Sequence, residues 1–476
     1  MEELRNMLPS KSTSMNDIID LLSVCVQQQY NAKELNERNA IIEQNAASLF
    51  QQDYVCQLIS NTNGELSAHY PRHICVPTID KWSDIQTSKI QSSIDIRGLF
   101  VRSSIARCRT RFVAPVILID GKYICRSSTI SSWGEIYPRL SMNRLNGAAN
   151  RSVVSQVDND DTLDVAEQSE QRTVFDQVRG ADIDLLLTFE IGSIVNLMVQ
   201  KKNTLFGMNL TGSEKLDKYN RYRAFQMMLL PYPGCEHFRE LVTQKYNGQL
   251  LFYDWTLPKN DAILDVPTDL SSRVSGDWSF WRSWNSVDLT KNYLQTILRQ
   301  LETNKRGILI HCLFGWDRTP LFISLLRLSL WADGYIHQSL TVEEILYLTL
   351  AYDWYLFGHN LFERLKDSEE ILYFAFIVLP HLVGNEFVFH PSNVTEIGLY
   401  SNVEKNLTTD FHHTPTTTNI REEKLLAVSN LFYACYQTTV PSDSRKFNIR
   451  SQGLDAVRSA KNFFDQQRLK FNSHFQ

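Results

Sequence analysis

"GILIHCLFGWDRTPLFISLLRLSLWADG", residues 307–334, opens on an apolar run, breaks into a short polar loop and resumes as a second apolar run. The first run, Gly307 to Cys312, is short and nearly all apolar, as a buried strand of a parallel sheet must be. Thr319-Pro320 then supplies a polar residue followed by proline, the composition of a helix start. Cys312 therefore closes a strand and Arg318 stands at the threshold of a helix. Leu313, Phe314, Gly315, Trp316 and Asp317 form the loop between them.

That placement has chemical consequences. Backbone N–H groups from Leu313 to Arg318 can curl into an anion cradle that the helix dipole reinforces, and such a setting favours a thiolate. Cys312 is the candidate nucleophile. Arg318 offers a planar fork that binds two phosphate oxygens at once and stays charged throughout. Phosphoryl transfer to sulfur needs a proton for the leaving alcohol and later a base for water, and Asp317 is the nearest candidate. The spacing alone is weak evidence in a chain with eight cysteines, but only Cys312 has an arginine six residues on, with Gly315 for a tight turn between them. His311 reads as a core histidine bonded to loop backbone. Trp316 reads equally as packing or as a wall for the substrate ring. Thr319 reads as a helix cap or as a hydroxyl able to bond the sulfur.

Upstream of this stretch the segments alternate: "ADIDLLLTFE" as helix, "SIVNLMV" and "AFQMMLLPYP" as strands, "CEHFRELVTQKY" as helix, "QLLFYDW" as strand, "NSVDLTKNYLQTILRQLE" as helix. Strands interleaved with helices predict an α/β fold with a central, largely parallel sheet flanked by helices. Two hairpins are expected nearer the N-terminus, at Asn63-Gly64 and Asp120-Gly121, because both dipeptides accept positive φ. Between them, "RGLFVRSSIARCRTRF" holds five arginines from Arg97 to Arg111 and no acid. It reads either as a solvated, salt-bridged face or as a contact surface for phosphate or anionic lipid.

The expected organisation is a helical segment over 1–50, a β-hairpin region over 51–90, a main domain over 91–389, a linker over 390–422 and a helical tail over 423–476. Within the main domain, the acidic, patternless stretch 141–172 is expected to be a disordered insertion.

The chain has 476 residues, 43% of them hydrophobic, enough for a large core. Its net charge of −5 gives no global attraction to nucleic acid. The cysteines are scattered with no CxxC pair, which argues against a zinc site or a disulfide framework and for a reducing, cytoplasmic setting. No metal and no cofactor is expected. Neither a signal peptide nor a membrane span is evident.

"HCLFGWDRTP" resembles the signature of the cysteine-dependent phosphatases, and its Gly-Trp-Asp-Arg-Thr core is similar to that of the myotubularins. "FGMNLTGSEK", "LLPYPGCEHF", "RTRFVAPVIL" and "ILYLTLAYDWYLFGHNL" narrow the likeness to the Jumpy-type myotubularin-related phosphatases, also called the egg-derived tyrosine phosphatase group. The resemblance implies a cysteine-dependent phosphatase fold and removal of the 3-phosphate from phosphatidylinositol 3-phosphate and the 3,5-bisphosphate, by an enzyme peripherally associated with endosomal or autophagic membranes. It implies Cys312 as nucleophile, Arg318 as phosphate binder and Asp317 as general acid. Leu313, Phe314, Gly315, Trp316 and Thr319 would line the substrate. Typical myotubularins carry an acid where this chain has Phe314, and they open with a PH-GRAM domain of which residues 51–90 are at most a reduced part. Tyrosine phosphatases place their acid on a separate upstream loop, which makes Asp277 the alternative donor, its competing reading being a helix cap. Two other functions fit the same residues: a protein tyrosine or dual-specificity phosphatase, and a non-catalytic phosphoinositide-binding scaffold.

Overall fold

A computed structural model describes residues 12–82, 94–136, 165–391 and 417–440, apart from positions 35, 133, 201, 206–207, 212–213, 218, 259, 262 and 275. In chain order the longer elements are α1 (Met15–Cys25), α2 (Glu37–Asp53), β1 (Tyr54–Ser60), β2 (His73–Asp80), α3 (Ile96–Ser103), β3 (Ala114–Ile119), β4 (Lys122–Ser128), α4 (Val165–Thr188) and β5 (Ile191–Asn196). There follow β6 (Lys202–Leu205), β7 (Met208–Thr211), β8 (Gln226–Leu229), α5 (Ser286–Thr303), β9 (Gly307–Cys312), α6 (Arg318–Ala332), α7 (Val342–Leu348), α8 (Leu361–Lys366), α9 (Ile371–Val378) and α10 (Thr417–Thr439).

The main sheet runs β3-β4-β9-β5-β8. β9 is its middle strand and pairs in parallel with β4 on one side and β5 on the other, and β8 continues the parallel set. Only the edge strand β3 is antiparallel, joined to β4 by Asp120 (φ 48°) and Gly121 (φ 70°) in the tight turn expected from the sequence. Every residue of β9 is buried, as a strand covered on both faces demands. The sheet is therefore the mixed, largely parallel one that the alternation of segments predicts. α6 follows β9 directly and is buried on all sides after Arg318, which its run of leucines permits.

Two expected strands are absent. Around Asn63-Gly64 both residues do take positive φ, at 58° and 63°, but they sit in a short 3-10 turn inside a longer connection. β1 pairs instead with His73–Asp80. The run "QLLFYDW" makes only an isolated bridge, Phe252 to Asn285. Leu250 and Phe252 are about half exposed, so this run lies on the surface and gains little from joining a sheet. α4 begins at Val165, inside the stretch expected to lack structure, and α10 begins at Thr417, before the expected start of the tail. Residues 137–164, the linker from 392 to 416 and the tail beyond 440 lie outside the described residues.

One continuous hydrophobic core reaches from α1 to α10. The N-terminal elements are built into it by buried tyrosines: Tyr54 donates to the Leu118 carbonyl, Tyr70 to that of Phe112, and Tyr123 of β4 to that of Pro77. α7 starts on a capping box between Thr341 and Glu344 and passes into a π-helical turn, Thr349–Tyr355. The widened turn puts Asp353 into the core, where its carboxylate takes both Nε and Nη2 of Arg327 from α6. Arg327 also bonds the Val116 carbonyl and His337. Asp353→Ala leaves Arg327 as a buried charge without its counterion and is expected to cost about 3–5 kcal/mol, read as a fall in the urea midpoint at unchanged slope.

Two histidines are stored uncharged. Burial pushes His237 down to about 4 and holds His337 well below its ordinary value, with the Arg327 charge adding to the effect at His337. The unfolded chain protonates both below about 6.5, and the folded chain does not follow until far lower pH. Stability therefore falls as pH drops from about 6.5 toward 4, and urea midpoints at pH 7.5 and pH 5 should show the loss.

Candidate active site

The Cys312 side chain is nearly buried at the C-terminal end of the central strand, where a parallel α/β sheet leaves its crevice. The loop then turns back over it. Gly315 adopts φ +70° and its N–H points at the Cys312 sulfur, 3.3 Å away. No other residue fits there: besides the left-handed backbone, an added Cβ would lie 2.5 Å from the Ser127 carbonyl oxygen of β4.

The loop is held from beneath by two fully buried arginines. Arg111 and Arg126 both donate to the Gly315 carbonyl, at 3.2 and 2.8 Å. Arg126 also binds the Asp353 carbonyl, and Arg111 those of His69 and Phe357. Burial, with the charge of Arg111 beside it, pushes Arg126 down to about 10, and burial lowers Arg111. The pair places two cations beneath the centre of the loop.

Arg318 extends from the first turn of α6. Its Nη1 donates to the carbonyls of Leu197, just past β5, and Tyr232, at 2.9 and 3.1 Å. Cys312 closes β9 and Arg318 opens α6, with the guanidinium of Arg318 directed to carbonyls beyond β5 and β8. Leu313, Phe314, Trp316 and Arg318 are half-buried, whereas Gly315, Asp317 and Thr319 are buried. Thr319 does not cap α6. Its Oγ1 has no hydrogen-bond partner among the described residues, and neither does Nε2 of His359.

Asp317 is the best-connected member of the loop. Arg364 of α8 grips both carboxylate oxygens, at 3.2 and 2.9 Å. His359 Nδ1 stands 3.0 Å from Oδ1 and 3.0 Å from the Trp316 carbonyl, and the Cys235 thiol donates to the same carboxylate. Burial raises the Asp317 pKa, but the His359 hydrogen bond and the Arg364 charge outweigh it and hold the carboxyl well below its usual range. A group so held is an anion at neutral pH, which is a physical obstacle to the acid role implied by the resemblance.

Asp277 serves elsewhere. It is exposed, and its Oδ1 accepts from the backbone and hydroxyl of Ser279, capping the turn Trp278–Ser283. No contact with the cysteine loop is seen among the described residues. His311 bonds a side chain rather than loop backbone: its Nε2 lies 3.0 Å from Glu214, which pairs with Arg107, which in turn pairs with Asp182, all fully buried. Arg107 and Arg111 are thus core residues, so the basic segment is not simply a solvated face. Sequence reasoning passed over Arg111, Arg126, Cys235, His359 and Arg364 as site residues. Only the arginine run and "YLFGHNLFERL" carried a signal, and neither pattern indicates which side chains turn inward.

Fold and site together define a mixed α/β protein with a Cys-x5-Arg loop at the C-terminal end of its central parallel strand. The chain is similar over most of its length to myotubularin-related phosphatases. It is 44% identical over 382 residues to phosphatidylinositol-3,5-bisphosphate 3-phosphatase MTMR14 of Mus musculus, and 44% identical over 376 residues to the protein of the same name from Homo sapiens. Each match covers 77% of this chain and 58% of the relative, so the chain spans less than two thirds of their length. A phosphoinositide 3-phosphatase of Saccharomyces cerevisiae is 32% identical over 175 residues, 34% of this chain and 24% of that protein. No family model matches.

Gly315→Ala forces the loop off β4 and is expected to lower stability by about 2 kcal/mol or more, seen as a lower thermal midpoint.

Proposed function

We propose that the chain removes the 3-phosphate from phosphatidylinositol 3-phosphate and phosphatidylinositol 3,5-bisphosphate through a phosphocysteine. It does so as a cytoplasmic enzyme bound peripherally to endosomal or autophagic membranes, with residues 91–389 as a phosphatase domain. The observation that carries the reading is the loop from Cys312 to Arg318, already closed around the sulfur by the Gly315 N–H and backed by two buried cations. The activity in the names of the two 44% identical relatives supports the substrate class.

The Cys312 thiolate attacks phosphorus, and the P–S bond forms as the bond from phosphorus to the inositol 3-oxygen breaks. Arg318 exchanges its backbone carbonyls for two equatorial phosphoryl oxygens, and loop N–H groups from Leu313, Phe314, Gly315 and Trp316 take the remaining charge. Water then attacks phosphorus, the P–S electron pair returns to sulfur and inorganic phosphate leaves. The Thr319 hydroxyl, with no hydrogen-bond partner among the described residues, is available to the sulfur at that stage. The protons of that water leave with inorganic phosphate, and Asp317, its carboxylate engaged by Arg364 and His359, holds the loop in place beside Arg318. The proton for the leaving inositol oxygen in the first step arrives on the substrate, as the phosphate monoanion.

Phosphate release across a full phosphoinositide panel and a phosphotyrosine peptide, under reducing conditions, tests the reading. Release is expected from lipids that carry a 3-phosphate. Cys312→Ser should fall to background and Arg318→Lys by about 100-fold. Release from the peptide in preference to the lipids would reverse the choice of substrate, and release from none would end the enzyme reading. A substrate monoanion also predicts that kcat/KM declines above about pH 6, where the second phosphate proton is lost. A pH–rate profile rising from 6 to 8 would contradict that.

A further inference from the structure

A head group with two phosphates needs a second cation, and the Cys312 loop supplies none beyond Arg318. Arg111 and Arg126 are buried and committed to carbonyl oxygens, and Arg364 is shared between Asp317 and Glu369. Arg109, from outside the loop, packs closely against its aromatic side chains, where buried Arg111 reaches only Trp316, at 5.5 Å. The guanidinium carbon of Arg109 lies 4.2 Å from the centroid of the Phe314 ring and 4.9 Å from that of Trp316. Those two rings are 5.1 Å apart and tilted by 53°, so they form a platform on the half-buried side of the loop.

The position of Arg109 is built rather than incidental. Arg109 and Thr110 both take φ of 55°, a left-handed conformation that residues with a Cβ rarely adopt. The turn is pinned on each side. Cys108 N–H donates to the Thr129 carbonyl at 2.9 Å, Arg111 N–H to the Cys108 carbonyl at 3.1 Å, and Arg109 N–H to Glu135 at 2.6 Å. Its flanks, Arg107 and Arg111, are fully buried, one in the ion network under His311 and the other under Gly315. Two buried arginines therefore anchor a turn whose tip presents a third to the loop. A guanidinium held against an aromatic face keeps its planar fork of N–H donors, the group by which arginine binds phosphate. The phenyl ring at 314 holds that group by its face without adding a negative charge to the rim.

We propose that Arg109 is a specificity-determining residue, binding a second phosphate on the inositol ring while the 3-phosphate lies between Cys312 and Arg318. The assignment rests on the phosphoinositide reading above. It also separates the basic segment by role, with Arg107 and Arg111 internal and Arg109 facing the substrate.

The test uses short-chain, water-soluble phosphatidylinositol 3-phosphate and 3,5-bisphosphate, so that membrane binding does not enter. The quantity read is the ratio of kcat/KM for the bisphosphate to kcat/KM for the monophosphate. Arg109→Gln is expected to lower this ratio by tenfold or more, and Arg109→Lys, which keeps the charge, by less. Phe314→Leu removes the platform with Arg109 intact and should move the ratio in the same direction; it decides the matter if Arg109→Gln does not fold. An unchanged ratio overturns the assignment, including the case of equal losses on both lipids, which would point to the diester phosphate they share or to a purely structural role. Wild-type protein that hydrolyses neither lipid would instead overturn the phosphatase reading, an outcome visible before any variant is made.

Discussion

The carbonyl of Gly315 accepts hydrogen bonds from two buried guanidinium groups, and the remainder of the site is organised around that constraint. Burying two like charges side by side is costly, and each must find acceptors for its N–H groups. Gly315 supplies one acceptor to both. The others come from far along the chain: the His69 carbonyl in the N-terminal connection, and the Asp353 and Phe357 carbonyls on and after the π-helical turn. The loop cannot shift without disturbing all three regions. The N-terminal helices and the two-stranded β1–β2 sheet also share one hydrophobic core with the central sheet.

Asp317 shows how the same neighbourhood sets protonation. Its carboxylate is pinned by Arg364, His359 and Cys235, so the residue beside Arg318 is an anion paired away from it. Ion pairing of this quality fixes orientation as well as charge. Arg318 meanwhile donates to the Leu197 and Tyr232 carbonyls, and the Thr319 hydroxyl in the first turn of α6 has no hydrogen-bond partner among the described residues.

The strand, loop and helix from Gly307 to Gly334 were legible because each obeys a local rule: an apolar run, a glycine able to take positive φ, and a proline at a helix start. The Asp120-Gly121 hairpin was legible for the same reason. Asn63-Gly64 obeys the conformational rule and still does not join the strands, because strand partners are chosen by burial and β2 offers the buried run. "QLLFYDW" has strand composition, yet its alternate side chains face water. His311 was read as a core residue from its apolar surroundings. Its partner Glu214 lies 97 positions away in sequence, and no local pattern connects them.

The sequence by itself determined the class of fold, the identity of the nucleophile and of the phosphate-binding arginine as candidates, and the need for glycine between them. Backbone conformation and strand burial are short-range properties, and one stretch of residues suffices to express them. Only the tertiary structure decided which arginines of the basic segment are internal, which one stands over the loop, and in which state Asp317 is held. Those outcomes depend on which charges are buried together, and burial is set by how distant segments pack rather than by their neighbours in the chain.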